Sequence, residues 1–220
     1  MSDSSKIGAT LVMGMGRFGG SLAVTLDKLG REVLAVDTDP RKVEKWTGVI
    51  PVVEADPTNA VALQQLGAAD FPVAVVGVGS SIEASVLITA NLVDLGTPDI
   101  WAKAISTEHG KILKRIGAHH VVYPEADAGQ RVAHMVSGRM MDFIEMEDGF
   151  AIVKMRPPRE LHGTTVGEVQ IRKKYGINVL GVKSHGKPFE YATGDTEIHA
   201  DDVLIVSGDT PLLDRFAMRP

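Results

Sequence analysis

The sequence predicts a doubly wound α/β domain followed by a small α+β domain, and three observations carry that expectation. From Ile7 to Val122, short apolar runs alternate with amphipathic segments. A glycine-rich turn, Gly14-Met-Gly16-Arg17-Phe18-Gly19, stands between the first apolar run and the first amphipathic one. From Phe150 the grammar changes to strands and short helices broken by Pro157-Pro158. Apolar strands separated by amphipathic helices belong to a parallel sheet covered on both faces.

Each element has its own warrant. Ile7 to Met13 is an apolar strand ending in the glycine turn. Leu22, Leu26 and Leu29 then recur at helical spacing over 19–29, and Gly30 closes that helix in the usual C-terminal position. Val33–Val36 is a second buried strand, stopped by Asp37-Thr-Asp-Pro40, and a short helix starts at Arg41. A strand over Ile50–Glu54, a helix over Ala60–Leu66 and a strand over Val73–Val78 follow. A longer helix over Ile82–Leu95, a strand over Ile100–Ala104 and a helix over Lys111–Ile116 lead to Val121-Val122, which closes the sheet. Residues 125–145 read as one helix, with Val132, Met135, Val136, Met140 and Phe143 on a face. Beyond it come a strand at Phe150–Met155, a helix around Val166–Lys174, strands at Ile177–Val182 and Val203–Ser207, and a helix near Leu212–Phe216. The expected division is a nucleotide-binding domain over 1–124, a connecting helix over 125–145 and a second domain over 146–220. The second domain is close to the lower size limit for independent stability and would gain from dimerisation. Apolar surface for assembly is expected on the helices around 82–95 and 130–144, the latter carrying Met135, Met140, Met141 and Phe143.

Composition excludes several classes. Among 220 residues, 23 are basic and 28 acidic, a net charge of -5 that disfavours a general nucleic-acid binder. The absence of cysteine removes disulfides, thiolate metal sites and Cys nucleophiles. Uncharged runs such as 71–82 are far shorter than the roughly 20 apolar residues of a membrane-spanning helix. The N-terminus, MSDSSK, is polar and unlike a secretory leader, so a soluble cytoplasmic protein is expected.

The glycine turn sits where a strand feeds a helix, the context in which G-x-G-x-x-G cradles a pyrophosphate. The first glycine permits the turn and the second lets backbone approach the phosphates. The third lets helix and strand pack closely, while the helix N-terminus offers unpaired N–H groups. Asp37 ends the second strand, where an acid accepts from ribose hydroxyls and repels a 2′-phosphate, which disfavours NADP. Arg17 either reaches a phosphate or is a solvated loop charge. Nothing in the chain supplies catalysis. No Tyr-x-x-x-Lys pair, P-loop, H-E-x-x-H or G-x-S-x-G occurs, and His119-His120 precede a strand, where a structural role is expected.

VMGMGRFGGSLAVTL, EVLAVDTDPRKV, ADPTN, the WAKA strand, HGKILKRIGAHHVVYPEADAG and IRKKYGINVLGVKSHG occur in this order. Through them residues 6–217 resemble the RCK family, cytosolic gating subunits of Ktr/Trk-type potassium transporters. The resemblance implies a non-enzymatic subunit whose homodimers assemble into an octameric ring beneath a membrane-embedded potassium transporter subunit, without inserting into the membrane or binding nucleic acid. It implies ATP and ADP as opposing ligands. Gly14, Gly16, Arg17, Phe18 and Gly19 match the phosphate loop, Asp37 the ribose acid and Asp56 an adenine-side position. Gly77 and Gly79 match the mouth after the fourth strand, and Lys103 a basic residue near the phosphates. Glu125 matches an acid that holds Mg²⁺ or Ca²⁺ beside the terminal phosphate. Its other reading is an acid at a helix N-terminus. Ile171, Arg172 and Asn178 match a cyclic di-AMP site in the second domain. The alternatives there are core packing for Ile171 and exposure for Arg172, and Asp195 and Glu197 would oppose an anion. A second class remains open, an NAD(H)-binding sensor or small NAD-dependent oxidoreductase, because NAD and ATP both present a free ribose.

Overall fold

The computed structural model describes residues 8–220. The stretch MSDSSK and Ile7, the first residue of the expected first strand, lie outside the described residues. Two units divide the chain, residues 1–125 and 126–220.

In the first unit, β1 (Thr10–Met13), α1 (Arg17–Lys28), β2 (Val33–Asp37), α2 (Pro40–Trp46), β3 (Val52–Glu54) and α3 (Ala60–Gln65) are followed by β4 (Val73–Val76), α4 (Ile82–Asp94), β5 (Asp99–Lys103), α5 (Thr107–Arg115) and β6 (His120–Val122). The strands form one parallel sheet in the order β3-β2-β1-β4-β5-β6. Alternate residues of β1 enter different cores, as a strand between two helix layers requires. Leu11 and Met13 pack with Ile88, Leu92 and Leu113, whereas Val12 packs with Ala23, Ala35 and Ile50. The expected Rossmann-like doubly wound sheet is therefore present. Its strand order reverses between β1 and β4, so a crevice opens outside the carboxyl ends of these two strands. Side-chain caps fix several helix starts: Asp39 for α2, Asn59 for α3, Ser81 for α4 and Ser106 for α5.

α6 (Pro124–Ser137) begins at the end of the first unit. The second unit then contains β7 (Met140–Glu145), β8 (Phe150–Met155), β9 (Thr164–Thr165), α7 (Val166–Val169), α8 (Ile171–Tyr175), β10 (Asn178–Lys183), β11 (Glu190–Tyr191), β12 (Glu197–Ile198), β13 (Val203–Asp209) and α9 (Thr210–Ala217). An antiparallel sheet in the order β11-β10-β13-β8-β7 carries the core, with a separate β9–β12 pair.

One expectation is corrected here. Residues 125–145 are not a single connecting helix, because α6 stops at Ser137 and Met140–Glu145 is an edge strand. The cause is a bulge. Pairing of β7 with β8 slips between Met140 and Asp142, so Met140 and Phe143, three residues apart, both face the core. A bulged strand thus imitates the three-residue spacing of a helix. Met140 and Phe143 are accordingly buried and offer no assembly surface, while Met141 is exposed. A smaller difference lies at Val166–Lys174, which is two short helices separated by Gln170 with φ +50°.

Candidate functional site

The crevice at the strand-order reversal has a volume of about 830 Å³, within the range of nucleotide and cofactor sites. Its walls come from the loops after β1, β2, β3 and β4, from the end of β5 and from the first turn of α6.

The glycine turn builds the floor. Gly14 adopts φ +93°, a conformation that L side chains rarely take. A Cβ on Gly19 would fall 2.0 Å from the Gly14 carbonyl oxygen, so only glycine lets α1 pack this closely on β1. At Gly16 the opposite holds: a Cβ would meet nothing within 4 Å among the described residues, because that side of the turn faces the crevice. Gly16 is also the N-cap of α1, without a side-chain cap bond and without an acid in the first turn. The N-terminal N–H groups of α1 are left for an anion.

Asp37, 4% exposed, ends β2 and is fastened from three directions. The Met15 N–H donates to its Oδ2 at 2.6 Å and the Asp39 N–H to its Oδ1 at 2.9 Å. The Lys42 ammonium donates to both oxygens, at 3.2 and 3.0 Å. At the far end of the crevice, Lys103 is buried and its Nζ lies 2.5 Å from Glu125 Oε1. The same ammonium stands 5.8 Å from the Phe18 ring centroid. The hydrogen bond from Lys103 holds the Glu125 carboxyl below its ordinary range, with a weaker push in the same direction from the Arg17 charge. Asp56 accepts from the N–H and hydroxyl of Thr58 and so shapes the loop after β3.

Gly14, Gly16, Arg17, Phe18, Asp37, Asp56, Gly77, Gly79, Lys103 and Glu125 all line this one crevice. Gly19 lies behind the turn, where its work is packing. Ile171, Arg172 and Asn178 come together elsewhere, in a recess of about 430 Å³ in the second unit, with Gln170 and Lys173 beside them. There Ile171 is 2% exposed and belongs to the core, and Arg172 is exposed. Sequence reasoning missed Lys42, Thr38, Thr58, Ser80 and Ser81, which also line the crevice. Lys42 had a readable signal: the Asp39 cap and Pro40 fix the start of α2, and the third residue of that helix points back at Asp37. Among the described residues no three His, Asp or Glu side chains converge to hold a metal ion. Glu125 is a lone carboxylate, so a divalent ion beside it fits only if a bound ligand and water supply most of its oxygens. No described helix is long and apolar enough to cross a membrane.

Fold and crevice define the class: a doubly wound α/β domain with a glycine-turn crevice, coupled in sequence to a small sheet domain. The TrkA-N domain family matches residues 10–124 and the TrkA-C domain family residues 150–219. The Ktr system potassium uptake protein C of Bacillus subtilis (strain 168) is 38% identical over 211 residues, covering 94% of this chain and 95% of that protein. The Ktr system potassium uptake protein A of the same organism is 34% identical over 207 residues, covering 93% of each. The chain therefore belongs to the TrkA-N/TrkA-C family that includes the Ktr system potassium uptake proteins. Among solved structures, the RCK domain of GsuK superposes with a TM-score of 0.69 at 20% identity, over all of this chain and 50% of that one. This chain thus spans about half the length of that RCK chain. The GsuK channel has been solved bound to NAD, and there the TM-score is 0.66 at 20% identity, over 97% of this chain and 39% of that one.

Proposed function

We propose that this chain is a non-catalytic regulatory subunit of a membrane potassium-uptake system and that it takes ATP or ADP in the crevice of its first unit. The observation that carries the reading is the composition of that crevice. It joins a glycine turn and a helix start without a side-chain cap to a buried acid at one end and a buried lysine at the other. A nucleotide needs these chemistries in this order, an acceptor for the ribose hydroxyls and donors for the phosphates. The near full-length relation to the Ktr proteins supplies the biological setting.

In this reading Asp37 orients the ribose, the first turn of α1 and Arg17 take the phosphates, and Lys103 adds a charge-assisted donor. Glu125 would hold a divalent ion together with the phosphates, and the ion would supply charge neutralisation there. Regulation then needs two arrangements of the assembly that bind the ligand unequally, since a ligand with equal affinity for both shifts neither. ATP and ADP differ in one phosphate, so the Lys103–Glu125 end is where they are told apart. A ring of homodimers under the transporter subunit, and cyclic di-AMP at the Ile171–Arg172–Asn178 recess, complete the proposal. The likeness to a channel solved with NAD favours a second reading, NAD(H) as the ligand of the same crevice.

Thermal-shift titration separates the two. A ligand at 100 times its dissociation constant stabilises by about 2.7 kcal/mol. The expected result is a shift with ATP and ADP, none with NADH, and its loss in Asp37→Ala. A response to NADH alone would replace the first reading with the second.

A further inference from the structure

We propose that Lys42 is an internal stand-in for the ribose, so that a nucleotide binds by exchanging its 2′,3′-diol for the Lys42 ammonium on Asp37. The inference rests on the assignment of Asp37 as ribose acceptor and concerns how tightly that site can hold its ligand.

A carboxylate offers about four acceptor positions on its two oxygens. On Asp37 all four are in use: one N–H from Met15, one from Asp39, and two contacts from the Lys42 ammonium. The two backbone donors cannot leave without dismantling the glycine turn and the turn into α2. The ammonium can. It sits at the tip of a four-carbon stem whose side chain is 42% exposed, whereas Asp37 is 4% exposed. Lys42 also lines the crevice, so its bridge lies on the ligand side of the acid. A ribose 2′,3′-diol presents two adjacent O–H donors to one carboxylate and requires the positions that this bridge occupies. The two donors therefore compete. A nucleotide lacking the diol has nothing to exchange and leaves the Lys42 bridge in place.

The experiment is the ratio of the dissociation constants of 2′,3′-dideoxy-ATP and ATP, measured by titration calorimetry on the full chain. The ratio cancels any general effect of removing a cation near an anionic ligand. In the wild type it is expected above one. Lys42→Met frees two positions on Asp37 and is expected to raise the ratio by about three- to tenfold. Lys42→Arg grips the carboxylate with a planar fork and is expected to lower it. An unchanged or lower ratio in Lys42→Met overturns the proposal. Should that variant fail to fold, Lys42→Arg decides, and a ratio that does not fall overturns it. A ratio of one in the wild type and in Lys42→Met alike would remove Asp37 as the ribose acceptor and take this inference with it. A wild-type ratio above one that neither variant moves removes only the role of Lys42.

Discussion

At one end of the crevice the buried member of an ion pair is the acid; at the other it is the base. The side chain of Asp37 is 4% exposed and its partner Lys42 42%, while Lys103 is 10% exposed and its partner Glu125 64%. Burying a single charge is costly, so each buried group carries an exposed counter-charge. The burial order matches the ligand chemistry proposed for each end. Ribose hydroxyls need a fixed acceptor, phosphates need a fixed donor, and in each pair the fixed member is the one held by the sheet. The exposed member is the one a ligand can displace. At the ribose end that member hangs from α2, and at the phosphate end from the first turn of α6.

The comparison breaks most severely at Asp37. Asp37→Ala leaves the Met15 and Asp39 N–H groups without their acceptor, at about 1–3 kcal/mol for the buried Met15 donor and less for the half-buried Asp39 one. Nucleotide binding is lost together with that stability. Chemical denaturation of the variant alone, beside its titration with ATP, reads both losses. Lys103→Met has the next largest effect. It removes the buried cation, and the expected loss of ATP affinity is about ten- to a hundredfold, the scale of a hydrogen bond to a charged group. The Glu125 carboxyl should then return toward its ordinary range, since the hydrogen bond from Lys103 is the main cause of its lowering. An NMR titration of the Glu125 carboxyl in the variant checks this directly. If it titrates as in the wild type, the pairing does not exist in solution.

A background effect has to be separated from these. His109 on α5 is 1% exposed, its Nε2 finds no partner among the described residues, and burial pushes its imidazole below the ordinary 6.5. The unfolded chain therefore takes the proton first, so this contribution is full above about pH 6.5 and shrinks as pH falls below it. Thermal midpoints measured from pH 7.5 down to 5.5 should decline in the wild type and less steeply in His109→Gln.

How much of this was legible in the sequence follows from range. The glycine turn, Asp37 and the alternation of strands and helices rest on local patterns, a tight turn and apolar runs of strand length, and the described parallel sheet follows them; its strand order does not show in any such pattern. Lys42 was overlooked because its meaning depends on α2 starting at Pro40, which turns the third residue of that helix back toward β2. The strand at Met140–Glu145 was misread because a bulge changed its period from two to three. The Lys103–Glu125 pair joins residues 22 apart, through a β5–β6 crossover that no local pattern reveals. Periodicity reports which face is buried, and only the assembled sheet reports which charges meet.

The smallest expected effect is at Glu125, and its sign depends on the solution. Glu125 is mostly exposed but its partner Lys103 is buried, so Glu125→Gln should cost about 1 kcal/mol of stability, the upper end for a surface pair. Without a divalent ion, the variant frees Lys103 from its counter-charge, and ATP should bind a few-fold more tightly, roughly 0.3–1 kcal/mol. With Mg²⁺ present the same substitution removes the carboxylate proposed to hold the ion, and affinity should fall below that of the wild type. Because the Glu125 carboxyl is lowered, its pairing is complete above the ordinary 4.5 and is lost only as pH drops through the lower folded value. Both signs should therefore persist unchanged from about pH 5.5 upward. A variant that weakens ATP equally with and without Mg²⁺ would show that Glu125 acts through its charge on the protein alone. The phosphate end would then have no displaceable partner, and its symmetry with the ribose end would fail.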